Sequence, residues 1–180
     1  MTSPPPGPYT LRPALPSDMP TIVHRHGTLY SKEQGYRADL AAGVAKTILD
    51  DFTSNHDPAS ERCWVAENNN NNNSDNNSED RFIGCVLLVH DKSEESYKCA
   101  KLRLLLVEPS ARGLGLGGEL IRQCTRFARG AGYERIRLWT NSGLTGARRL
   151  YVKEGYRMVR EEEDQTFGVT VQAEFWELVL

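Results

Sequence analysis

The residues most able to do chemistry lie in a glycine-rich loop, Arg112-Gly113-Leu114-Gly115-Leu116-Gly117-Gly118, and in two groups on either side of it. Glycines let consecutive backbone N–H groups turn towards one point with no Cβ in the way, and a helix starting there adds the positive end of its dipole. Such a loop holds an anion, most often a phosphate. Four glycines in six positions, beside an arginine, exceed what a tight turn requires. A nucleotide P-loop is excluded, because Gly118 is followed by Glu119 and Leu120 rather than by Lys and Ser or Thr. Gly113, Gly115 and Gly118 satisfy G-x-G-x-x-G in form only. The dinucleotide fingerprint places its glycines directly after the strand and an acid at the end of the next one; here Glu108 to Arg112 intervene and the next strand ends in Thr140-Asn141.

Before the loop stands a second group, His24, His26, Tyr30, Glu33 and Tyr36. Each taken singly also suits a surface or core-edge place; together they are the best candidates for contact with a second substrate. His24 and His26 are two residues apart, so on a helix they diverge by about 200° and cannot bind one metal from the same face. No metal site is expected. After the loop come Asn141 and Tyr151, an amide and a phenol.

The elements that must position these residues follow from periodicity. Leu102, Leu104, Leu105, Leu106 and Val107 make an apolar strand stopped by Pro109. Leu116, Leu120, Ile121, Cys124, Phe127 and Ala128 recur at helical spacing behind the loop, and Ile136, Leu138 and Thr140 alternate with Arg137, Trp139 and Asn141 in the next strand. Upstream, Tyr9–Ala14 reads as a strand, Ser17 or Asp18 caps a helix that Gly35 ends, and a second helix runs from about Arg37 to Thr53 with Leu40, Val44, Ile48 and Leu49 on one face. Arg62–Glu67 and Phe82–His90 form an antiparallel pair around an Asn-rich insertion at 68–80, expected to be mobile, and Tyr97 begins the long strand. A last helix spans Leu144 to Lys153, and strands at 157–162 and 173–180 close the chain, after a disordered leader at 1–8.

Composition bounds the rest. A length of 180 residues with 39% hydrophobic content suits one domain with a single sizeable core. A net charge of -2 makes no case for nucleic acid or membrane as partner. Neither a membrane-length apolar run nor a signal peptide is evident, so an intracellular, cytoplasmic protein is expected. Cys63, Cys85, Cys99 and Cys124 are widely spaced inside apolar segments and read as small core residues in a reducing compartment.

The loop and the segments after it resemble the GNAT superfamily of acetyl-CoA-dependent acyltransferases. The family signature of Arg or Gln, two residues, Gly, one residue, Gly or Ala is matched by Arg112, Gly115 and Gly117. The resemblance continues through Asn141 and Ala147-Arg148-Arg149-Leu150-Tyr151, covering at least residues 81 to 160. It implies an α/β (α+β) GNAT fold: a mixed, mostly antiparallel sheet of six to seven strands, flanked by four helices, with a splayed central parallel pair. It also implies an N-acetyltransferase with acetyl-CoA as donor and a small or amino-acid-like amine as acceptor, a homodimer being compatible.

By this resemblance the cofactor residues are Leu106, Val107, Arg112, Gly113, Leu114, Gly115, Leu116, Gly117, Gly118, Asn141, Ala147 and Arg148. The acceptor residues are His24, His26 and Tyr30, with Tyr151 as acid and a backbone N–H near Leu105 or Leu106 for the oxyanion. Relatives often carry a Glu on the central strand, but Lys101 to Leu106 offers no carboxylate. Glu33, ahead of His24 and His26, is the candidate base. Without it a CoA-binding regulatory module, or a peptide acceptor, stays open. The chain also resembles GNAT domains joined to MarR-type regulators, with no winged helix expected before Tyr9.

Overall fold

The computed structural model describes residues 7–69, 81–93 and 98–180. A seven-stranded sheet in the order β1-β2-β3-β4-β5-β7-β6 runs through it. Its strands are β1 (Tyr9–Pro13), β2 (Arg62–Asn68), β3 (Phe82–His90), β4 (Cys99–Val107), β5 (Arg135–Asn141), β6 (Arg157–Asp164) and β7 (Val171–Val179). Only β4 and β5 are parallel among these neighbours; the other five pairings are antiparallel. Four α-helices flank the sheet among the described residues: α1 (Met19–Gln34), α2 (Ala38–Asn55), α3 (Leu116–Gly130) and α4 (Thr145–Lys153). This is the expected GNAT-type architecture. The insertion expected to be mobile from residue 68 begins later, because Asn68 ends β2 and Asn69 N–H bonds to Pro8 O; residues 70–80, Tyr97 and most of the leader lie outside the described residues.

The sheet separates two cores. On one side Ala100, Leu102, Ile136 and Leu138 pack under Leu116, Leu120, Ile121 and Cys124 of α3 and Tyr151 of α4. On the other, Cys85, Leu87 and Leu106 meet Ile22 and Leu29 of α1 and Leu49 and Phe52 of α2. Cys63, Cys85, Cys99 and Cys124 are all buried, as small core residues.

The strand that serves both cores changes phase midway. Leu87 pairs with Arg103 and Cys85 with Leu106, so Leu104 and Leu105 together oppose Val86 alone. This is a β-bulge, and Leu104 adopts φ 53°, a left-handed conformation unusual for a bulky residue. Before the bulge Ala100 and Leu102 face α3; after it Leu106 faces α1 while Leu105 and Val107 turn to α3. A regular strand would have kept all the even-numbered residues on one face.

Pairing between β4 and β5 stops at Leu102 opposite Leu138, whereas β5 stays paired with β7 as far as Asn141. The C-terminal halves of β4 and β5 therefore part, and the opening lies beside the bulge.

Elsewhere the expected elements differ mainly in their ends, with one exception on α2. Leu49 is buried as expected, but its companions on that face are Ala41, Ala45 and Phe52 rather than Leu40, Val44 and Ile48. Val44 and Ile48 are half-buried because they wall a cavity.

Candidate active site

Two concavities meet at the splayed strands. The first, about 610 Å³, is a groove floored by Leu105, Leu106 and Val107 of β4 and walled by the glycine loop and the start of α4. Gly113 and Gly115 take φ of 83° and 77°, which a Cβ would disfavour. The first bond into α3 from this end runs from Glu119 N–H to Gly115 O, 3.1 Å. Helix geometry thus leaves the N–H groups of Leu116, Gly117 and Gly118 without intrahelical acceptors. All three residues line the groove, as does Arg112. The combination has the donors and the charge that suit an anion.

Two ion pairs tie α1 to this loop. Arg25 donates to both carboxylate oxygens of Glu108, at 2.5 and 2.6 Å, and Arg112 Nη2 donates to Glu33 at 2.8 Å. Glu108, buried at the entrance to the loop, thus sets its path from β4.

The second concavity, about 320 Å³, lies on the α2 side of β4. Val44, Ile48, Trp139, Phe167 and Phe175 give it apolar walls, while His26, Tyr30, Tyr36, Tyr151, Lys101, Arg103 and Asp164 supply polar groups. Tyr36 stacks between Tyr30 and Phe167, with ring centroids 5.8 and 4.6 Å away. Tyr30, Leu105, Leu144 and Ala147 line both concavities and mark where they join.

Protonation states at the junction follow from burial. Tyr151 is buried against Tyr156 and Trp176. Burial raises its pKa, with the fields of Tyr30 and Cys124 adding, so at neutral pH its hydroxyl is a proton donor. Burial likewise raises Tyr30, whose hydroxyl donates to the Leu105 carbonyl at 3.3 Å. Tyr36 is pushed up to about 12, again by burial, with the charge of Asp164 adding.

His26 is lowered from 6.5 to about 4 by burial, against the raising effect of its bond to Ile22 O and of Glu108. Its Nδ1 lies 2.8 Å from that carbonyl, which can only accept, so Nδ1 carries the hydrogen. Nε2 is then a bare lone pair, buried and without a protein partner. Because the folded pKa lies below the unfolded one, the stability held by neutral His26 is complete above pH 6.5 and is lost as pH falls towards 4. At about 1.4 kcal/mol per pKa step it comes to about 3 kcal/mol. His26→Gln should flatten the fall in urea midpoint between pH 6.5 and 4; an unchanged slope would contradict the assignment.

The structure brings most of the expected residues together. Leu106, Val107, Arg112, Gly113, Gly115, Leu116, Gly117, Gly118 and Ala147 line the groove, with Glu33 at its Arg112 end. His26, Tyr30 and Tyr151 line the cavity. Four residues lie elsewhere or are engaged. His24 is exposed and in neither concavity, because its position on α1 points away from that of His26. Leu114, at the tip of the loop, is 48% exposed and also outside both. Arg148 turns to β7, where Nε donates at 3.0 Å to Glu174, a carboxylate only 2% exposed that also accepts from Trp176. Asn141 is buried with both ends of its amide occupied: Nδ2 donates to Tyr36 Oη, and Oδ1 accepts from Gly143 N–H at 2.8 Å. It therefore holds the turn between the helices against β5.

Sequence reading missed Lys101, Arg103, Trp139, Asp164 and Phe167. A signal existed for the first two, since cations at alternate positions of an otherwise apolar central strand need a polar recess to face.

The model of the acetyltransferase (GNAT) family matches residues 29–156, spanning α1 to the turn after α4. This chain belongs to the GNAT family. A relative from Rattus norvegicus, N-acetyltransferase 8F1, is 29% identical over 142 residues, which are 78% of this chain; the chain spans 56% of that protein's length. Solved structures share the fold at lower identity. A ribosomal-protein-alanine N-acetyltransferase from Brucella melitensis superposes with a TM-score of 0.72 at 16% identity, covering 95% of this chain and 99% of that one. The Salmonella typhimurium protein yncA, solved with its cofactor acetyl-CoA, gives 0.69 at 17% identity, covering 97% and 95%. Among the described residues no group of His, Cys, Asp and Glu could hold a metal ion, and no helix is long and apolar enough to cross a membrane.

Proposed function

We propose that this chain is an acetyl-CoA-dependent N-acetyltransferase that moves the acetyl group directly to the amine of a small molecule. One observation carries the reading: an anion-binding groove and an amine-sized cavity, both built on β4, join at its bulge. Acetyl-CoA supplies an activated acyl group, and the yncA complex and the family membership support it as the donor. The residues present fit it, because the N-terminal N–H groups of α3 and Arg112 suit its phosphates and the parted edge of β4 suits an extended amide-bearing arm.

In this reading the amine nitrogen bonds to the acyl carbon and the C–S bond breaks. The developing oxyanion is stabilised by a backbone N–H at Leu104–Leu105, where the bulge leaves one residue without a ladder partner. Tyr151 gives its phenolic proton to the departing thiolate. The proton shed by the amine passes to solvent; His26 lines the cavity, but its Nε2 is sealed from it and holds a proton poorly.

Glu33, the base expected from sequence, faces Arg112 instead, which supports a part in setting the loop. If so, Glu33→Gln frees Arg112 for phosphate and tightens acetyl-CoA binding about twofold to fivefold, the worth of an exposed ion pair, with little change in turnover. Turnover lost at unchanged affinity would restore Glu33 as the base.

The activity is tested by incubating the purified chain with acetyl-CoA and a panel of primary amines while following free CoA thiol. Amine-dependent release is expected. A binding module without turnover is the second reading, favoured because among the described residues Asp164, which Thr166 occupies, is the one carboxylate lining the cavity; acetyl-CoA binding with no release for any amine would establish it.

A further inference from the structure

Lys101 and Arg103 project from β4 into the acceptor cavity, yet no step of acetyl transfer uses them. Among the described residues neither forms an ion pair. The carboxylates whose charge reaches Arg103, Asp91 and Asp51, are engaged elsewhere: Asp51 with Lys92 at 2.6 Å, Asp91 with the backbone and hydroxyl of Ser93 at 3.1 and 2.6 Å. Arg103 is half-buried, and burial lowers its pKa against the raising charges of Asp91 and Asp51, neither of which makes an ion pair with it. A cation left so is costly until an anion meets it.

The cavity is also polarised along the strands. Asp164 pairs with Val171, two residues past the pairing of Asn141 with Ala173, so it stands level with the junction end of the sheet. Its charge is felt at Tyr36, which Asn141 holds. Arg103 and Lys101 lie the other way, two and four residues before Leu105, or roughly 7 and 13 Å back along β4. Between the two ends run the apolar side chains of Val44, Ile48, Trp139 and Phe175.

We infer that the acceptor is a primary amine joined through an apolar or aromatic body to an anionic group, with the anion held by Arg103 and Lys101 and the ammonium drawn to the Asp164 end. This rests on the acetyltransferase reading only for the place of the amine. Arg103 is the specificity-determining residue, being nearer the junction and able to grip a carboxylate with two N–H groups.

The test compares phenethylamine, phenylalanine and 4-(2-aminoethyl)benzoate as ligands of the CoA-bound protein by calorimetry, with acetyl transfer to each followed in parallel. The wild type should bind at least one anionic amine roughly tenfold to a hundredfold more tightly than phenethylamine, the loss expected for one charge-assisted contact. The spacing along β4 favours the benzoate. Arg103→Gln should abolish that preference while binding phenethylamine as before, and Arg103→Lys should restore part of it. Equal or better binding of phenethylamine by the wild type, a preference that survives Arg103→Gln, or no binding of any of the three would overturn the inference. Preference without transfer would uphold it and defeat the acetyltransferase reading.

Discussion

Tyr151→Phe should lower the rate of acetyl transfer about a thousandfold, within the range general-acid catalysis commonly supplies, while acetyl-CoA affinity stays within about twofold. The ring can remain where it is, packed against Tyr156 and Trp176, so only the proton is lost. Because burial raises the phenol pKa above its ordinary value, the wild-type hydroxyl stays protonated below pH 10. The acid limb should therefore be absent from the alkaline side of the pH–rate profile below pH 10. Stopped-flow measurement of thiol release, beside calorimetric titration of acetyl-CoA, separates the two quantities. A variant that turns over normally would remove Tyr151 from the mechanism; one that fails to bind acetyl-CoA would make it a packing residue.

Arg112→Glu should weaken acetyl-CoA binding by about a hundredfold to a thousandfold, since attraction to phosphate becomes repulsion and a second carboxylate stands beside Glu33. Arg112 is half-exposed, so the fold should be indifferent to the change and the melting temperature should hold. Gly117→Glu would strike the same site from the helix side, but its Cβ would meet Leu150 Cδ1 at 2.6 Å and disturb the contact between α3 and α4. Arg112→Glu is therefore the cleaner variant. Unchanged affinity, measured by titration at fixed ionic strength, would contradict the placement of the phosphates.

The glycine-loop half of the candidate site was legible as a groove because its signal is local. Arg112, Gly115 and Gly117 lie within six residues, and the helix that begins at Leu116 shows its buried face in the same stretch. The acceptor half depends on contacts between distant segments. Asn141 could be placed at the end of its strand, but that its amide would be taken by Tyr36 depends on how the α1–α2 turn folds over β5. Arg148 sits in a family motif, and its diversion to Glu174 could not be read without the register of β5 and β7.

The bulge in β4 was hidden for a different reason. Lys101 and Arg103 alternate with Leu102 and Leu104, but Leu104, Leu105 and Leu106 follow one another with no polar residue to reveal an inverted phase. That inversion turns Leu105 towards the groove, while Lys101 and Arg103, before it, face the cavity. The two halves of the site therefore belong to two faces of one strand, and the bulge is what joins them.

A crystal structure with CoA bound tests this most directly. The pyrophosphate is predicted to lie within hydrogen-bond distance of the N–H groups at 116–118 and of Arg112, with the thiol at the bulge between the Leu105 backbone and the Tyr151 hydroxyl. A pyrophosphate bound away from the glycine loop, or a thiol that ends outside the junction of groove and cavity, would contradict it.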